Sequence, residues 1–412
     1  MFFRKKFSTV TVKKSKVRLD LAPSMTNGDF SRCNNVRRAG NGLRSIGDFV
    51  PMGILNMNKV IASKDGFLYT LGKDGVYCNS KYSSYKLISK AVDSACCVLY
   101  NRRLIFSSQN IGTYLFGTNS ADMLSAKGYD SLTICGDRLI GVDSIGVAVA
   151  SAGDYRDFDD AQVIYTHVPC TSVVALGNEL YILGDTCYTL VPNADEIDLK
   201  FRPFVYEVGM VEKESVVQMG KRAIFATDCG LRMLTSNKVT PIFQQLNDYI
   251  NFVGCNACEH QGKYYISCKR KEGNSAQNDL ILVLDIDNQV IDGVLSTKYT
   301  NLFSDGDKLY ATGTLGVYYL QQMDCAGVVH VSNIDFDNSN VKYLHRLTIS
   351  TSKDVFVWIN TDNEKRRYAV KGKSGVQSLP IAGVGRQFTV QIDAPSGARI
   401  DSVELCARSY EV

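Results

Sequence analysis

The chain has 412 residues, 45% of them hydrophobic and 21% charged, a balance that excludes disorder over most of its length. No run of about 18 apolar residues occurs and the start, MFFRKKFSTV, has no apolar signal core, so neither a membrane helix nor a secretory leader is expected and the chain reads as cytoplasmic. The formal net charge of +4 hides an asymmetry: residues 1–45 hold eleven Lys or Arg against two Asp, which is +9 and leaves −5 for the rest.

The basic segment opens as RKKFSTVTVKKSKVRLDLAPS, in which β-type residues alternate with Lys and Arg. Val10, Val12 and Val17 suit a strand added to an outside sheet edge or to another subunit. Arg4, Lys5, Lys6, Lys13, Lys14, Lys16 and Arg18 are the first candidate contact residues, for assembly or for a DNA backbone. Arg37, Arg38 and Arg44 follow in the glycine-broken loop NNVRRAGNGLRSIGDFVPMG. With no groove-reading helix, such an arm binds phosphates by charge and does not read bases; contact with an acidic protein neighbour is weighed above contact with DNA. Gly40, Gly42 and Gly47 match neither dinucleotide nor P-loop spacing, and no strand–helix frame surrounds them, so no nucleotide site and no cofactor are expected.

From residue 55 the chain repeats. A turn, an alternating β-type run, a second turn and a second run recur, with the first turn at Gly66, Asn101, Gly136, Gly177, Gly220, Gly262 and Gly306. The steps are 35, 35, 41, 43, 42 and 44 residues, and each unit has room for four short strands. That period predicts an all-β fold, a β-propeller of six or seven blades, over a plain array of sandwiches. TPIFQQLNDYINFV, near 240–253, is the best helical candidate and is short.

Chemical motifs are sparse. Cys255, Cys258, His260 and Cys268 have a partial zinc-knuckle spacing but sit in strand-like sequence, and burial is the favoured reading. The carboxylate-rich stretches at 154–160 and 193–198 do not fit calcium-loop spacing, those at 285–289 and 335–340 fit it only partly, and all read as solvated turns. The thirteen cysteines are irregularly spaced, the four histidines lie apart and no G-x-S-x-G occurs, so neither a metal nor an enzyme is expected. A glycosidase carboxylate pair stays open, because its spacing is a three-dimensional property. Beyond 325 the repeat stops and at least five strands follow, read as a small β-sandwich with Trp358 in its core. The expected division is a basic arm and loop at 1–54, a propeller at 55–325 and a sandwich at 326–412.

The stretches RRAGNGLRSIGDFVPMG, VAVASAGDYRDFDDAQVI, VVALGNELYILGDTCYTLV and LKFRPF resemble the tail-nozzle and packaged-DNA-stabilisation proteins of short-tailed bacteriophages. KYLHRLTISTSKDVFVWINTD resembles the end domain of related gut-phage muzzle proteins. The resemblance covers most of the chain. It implies a homo-oligomeric ring below a portal and adaptor, in the virion, that lines the DNA exit channel, retains packaged double-stranded DNA and opens on infection. The partners it implies are copies of the chain and other tail proteins, with no membrane. Two alternatives are carried: a tail-associated receptor- or glycan-binding propeller, and a propeller glycosidase.

Overall fold

A computed structural model describes residues 11–18 and 35–411, apart from 40–41, 46, 145, 157–161, 166–168, 178, 185–186, 191–201, 206–207, 237, 273–274, 325, 337–339, 363 and 374. The chain divides into two compact units. One comprises Phe49–Gln289 and Thr297–Leu320; the other gathers Met1–Asp48, Val290–Ser296 and Gln321–Val412.

The first unit is a β-propeller with seven sheets among the described residues. Their first strands are Met57–Lys64, Cys96–Tyr100, Ser131–Cys135, Cys170–Leu176, Val217–Met219, Ile250–His260 and Asn301–Ser304, and they define blades 1 to 7. The turn that follows each first strand holds one of the seven residues singled out by the repeat, and all seven have positive φ, from 47° at Asn101 to 95° at Gly306. The second strand of every blade buries at least four consecutive residues, as in Phe67–Gly72 and Glu179–Gly184. Continuous burial replaces alternation because a neighbouring blade covers each face of the sheet.

The interfaces between blades carry the core. Ile61, Tyr69 and Leu71 of blade 1 meet Leu104, Phe106 and Phe116 of blade 2, and the Phe106 and Phe116 rings stack 4.7 Å apart. Ile140 and Val147 of blade 3 meet Val173 and Ile182 of blade 4, which through Tyr181 and Leu183 meets Phe225 and Leu234 of blade 5. Each Leu or Ile so buried stabilises by about 1.5–3 kcal/mol. Blade 7 closes the ring. Its outermost strand is Gly47–Leu55, from before blade 1, paired beside Gly316–Asp324. Across that junction the Val60 N–H donates to Asn301 Oδ1 at 3.0 Å, Thr312 Oγ1 donates to the Asn58 carbonyl at 2.8 Å, and Met57, Val60 and Leu68 pack on Tyr310 and Val317. The helical candidate is a single 3-10 turn, Gln244–Asp248, running into the first strand of blade 6.

The second unit is a small β-sandwich. One sheet runs Val290–Leu295, Val36–Ala39, Gly42–Ser45, Arg399–Glu411, Lys342–Thr351, Val376–Gly385, with Thr11–Arg18 also paired to Arg399–Glu411. The other runs Gly327–Ile334, Phe388–Ala394, Val355–Asn360, Lys365–Val370. Leu347, Ile349, Val403 and Leu405 are buried in the first sheet, and Val357, Ile359, Val390 and Ile392 in the second.

Two features of the N-terminal segment are added here. TVKKSKVR adds a strand to the free edge of the last strand, pairing from Thr11↔Glu411 to Arg18↔Glu404. The glycine-broken loop contains a hairpin, Val36–Ala39 with Gly42–Ser45, anchored by the buried Val36 and Leu43.

Candidate functional site

Of the ten basic candidates, Arg4, Lys5 and Lys6 lie outside the described residues. Lys13, Lys14, Lys16 and Arg18 stand on Thr11–Arg18, in register with Ser409, Arg408, Cys406 and Glu404. Arg37 and Arg38 stand on Val36–Ala39 and Arg44 on Gly42–Ser45. Register then brings together what the sequence keeps apart. Arg37 is opposite Arg44, and Arg44 is opposite Arg399. Residues directly opposite share a face, so three arginines form one row across three adjacent strands. Arg37 is half-buried; Arg44 and Arg399 are exposed. Arg399 Nε donates to Asp401 Oδ1 at 2.7 Å, the one acid bonded to the row among the described residues. Arg38 falls in the next row, beside the buried Leu43 and Ile400. No motif around Arg399 announces it, because its role comes from strand register alone.

The propeller encloses a central cavity of about 490 Å³, lined by all seven blades. A 3-10 turn, Lys213–Ser215, leads into blade 5 and crosses it with charges. Lys213 Nζ donates to Ser94 Oγ at 2.9 Å and to Asp130 Oδ1 at 3.3 Å, while Glu214 accepts from Lys59 of blade 1. Asp130 also accepts from Gln109, and Glu259 of blade 6 accepts the Gly262 N–H at 2.6 Å. Each of these three carboxylates is thus held by a donor of the protein. Cys96, Cys97 and Cys258 complete the wall; burial pushes the Cys96 thiol up to about 12 and raises the other two as well. Such thiols stay protonated and weakly nucleophilic at neutral pH.

The zinc-like cysteines are packed as core. Cys255 and Cys268 are buried, with thiols raised by burial, and Nδ1 of His260 pairs with Ser304 Oγ at 3.0 Å. Among the described residues no three His, Cys, Asp or Glu gather as a metal site. The 285–289 stretch is a capped turn: Asp285 accepts from the Asn288 N–H at 3.0 Å, from Asn288 Nδ2 at 2.8 Å and from Lys263. The 193–198 stretch and most of 154–160 lie outside the described residues.

Trp358 is not in the sandwich core. On Val355–Asn360 the alternate residues Val355, Val357 and Ile359 are buried, whereas Trp358 is half-buried and Phe356 is 41% exposed on the opposite face. Lys365 Nζ lies 4.7 Å from the Trp358 ring centroid, and the Arg367 guanidinium lies 3.6 Å above Phe356 and 5.4 Å from Trp358. The indole Nε1 donates to Asp393 Oδ2 at 2.6 Å and Gln391 Nε2 donates to Asp393 Oδ1 at 2.7 Å.

No known family matches the chain, and no curated protein matches it. Among solved structures it is similar to the WD40 repeats of RRP9, at 9% identity and a TM-score of 0.47, over 67% of this chain and 97% of that one. It is also similar to the computationally designed Ika8 protein, at 8% identity and a TM-score of 0.42, over 66% and 97% of the two chains.

Proposed function

We propose that the chain is a non-catalytic structural protein of a phage head–tail or tail-nozzle complex, forming a ring of copies around a DNA exit channel. The sequence resemblance supplies the setting. The observation that carries the assembly reading is the row Arg37–Arg44–Arg399, which holds three guanidinium groups in register with one acid beside them. Like charges set opposite each other on a sheet are unfavourable, so the row gains from an acidic neighbour. Outside residues 1–45 the chain carries −5, so the carboxylates of a second copy can supply that neighbour.

The test is the state of the full chain in solution. Light scattering and micrographs are expected to show closed rings, and Arg37→Glu with Arg44→Glu is expected to leave folded single copies. A chain that stays single at all concentrations, or a charge-reversed variant that still forms rings, overturns the reading. Deleting residues 1–45 is a poorer experiment, because it removes Val36 and Leu43, both buried to 1% exposure, and damages the sandwich itself.

A further inference from the structure

We propose that the outer face of the four-stranded sheet around Trp358 binds single-stranded nucleic acid. The proposal does not depend on the ring reading. Phe356 and Trp358 stand two residues apart on one strand, so their rings repeat along it at about 6.6 Å. Lys365 and Arg367 stand two residues apart on the neighbouring strand, with Arg367 directly opposite Trp358 and Lys365 opposite Asn360. An aromatic pair and a cation pair therefore run side by side with the same repeat. That suits a linear polymer whose units each carry a flat π-face and an anion, which is the chemistry of stacked bases on a phosphate chain.

The groups left unengaged on this face favour a nucleic acid over a sugar. The carboxylate of this face, Asp393, is engaged by Trp358 and by Gln391, whereas the two cations of the neighbouring strand suit an anionic chain. Lys365 and Arg367 have no carboxylate partner among the described residues and are both exposed. The Arg367 guanidinium already stacks on Phe356 at 3.6 Å, so its outer plane and N–H edge offer a base a surface and a phosphate a fork. Trp358 is anchored in plane by its bond to Asp393, which fixes the platform before a ligand arrives.

Trp358 is the one tryptophan of the chain, so its fluorescence reports this face alone. The full chain is titrated with an oligo(dT) single strand, with a heparin fragment and with a neutral chitooligosaccharide. Oligo(dT) is expected to quench the emission saturably, with an affinity that falls as salt rises. Arg367→Ala and Phe356→Ala are each expected to weaken it by about tenfold, with melting curves like the parent's. Lys86→Ala, in blade 1 and paired with Asp74 at 2.6 Å, is expected to change nothing. Arg367 is exposed, so its variant decides the matter even if Phe356→Ala folds poorly. Four results overturn the proposal: no quenching by oligo(dT), equal quenching by heparin, quenching by the neutral sugar, or oligo(dT) binding lost in the Arg37→Glu, Arg44→Glu variant but kept in Arg367→Ala.

Discussion

At the scale of single residues, Asp285 shows how a short acidic motif in this chain serves structure. Burial opposes its charge, but Lys263 and the Asn288 side chain and N–H outweigh burial and hold the carboxyl down at about 2. The folded value lies below the unfolded one of about 3.9, so the stabilisation is complete above about pH 4 and is lost as pH falls towards 2. Asp285→Asn is expected to cost about 1–2 kcal/mol at pH 7, with the difference from the parent shrinking steadily below pH 4. Urea unfolding between pH 7 and pH 2 measures it, and a difference that stays constant with pH contradicts the assignment. Trp358 carries the opposite lesson. VFVWIN is apolar in both phases of its alternation, and alternation alone does not say which phase faces the core. The β-branched phase, Val355, Val357 and Ile359, takes the interior and leaves the large rings outside.

At the scale of elements, the blade hairpins were legible because their turns need a backbone that few residues adopt. Two kinds of glycine punctuate the blades, and they do different work. Gly220, in the first turn of blade 5, has φ +64°, and a Cβ there meets nothing within 4 Å. Gly316, which starts the third strand of blade 7, has φ +141°, and a Cβ there falls 2.0 Å from the Ile54 carbonyl oxygen of the closing strand. Gly220→Ala is therefore expected to cost about 1–2 kcal/mol, from conformation only. Gly220→Asn costs less, since Asn fills the equivalent place at Asn101 with φ 47°. Gly316→Ala is expected to cost about 3 kcal/mol or more, because backbone must move. Thermal or urea melts of the three variants rank them, and an equal cost for Gly220→Ala and Gly316→Ala refutes the distinction. The arginine row was not legible in this way. Arg44 and Arg399 are 355 positions apart, and neither composition nor spacing encodes which strands become neighbours.

At the scale of the whole propeller, closure distinguishes a ring from a stack of sheets. A ring leaves no blade without two neighbours, so its stability depends on the joint between its last and first blades. That joint rests on few polar ties. Asn301 Oδ1 accepts the N–H of Val60, a residue 1% exposed, and Asn256 Oδ1 accepts the Leu302 N–H at 2.5 Å in the preceding joint. The side chains of Asn256 and Asn301 thus each accept a backbone N–H across a joint, beside the Thr312–Asn58 and His260–Ser304 bonds, while Lys213 and Glu214 span the cavity to blade 1, to Asp130 before blade 3 and to Ser94 between blades 1 and 2. Removing an acceptor leaves a buried N–H with neither protein nor water, at about 1–3 kcal/mol. Asn301→Ala is expected to lose that much, and Asn301→Asp, which keeps an oxygen in place, to lose less. The informative readout is the shape of the transition. If closure couples all seven blades, the weakened joint lowers the melting temperature of one cooperative transition. Two separated transitions in Asn301→Ala, one for blades near the joint and one for the rest, show instead that the blades unfold as a linear array and that the ring is not the cooperative unit.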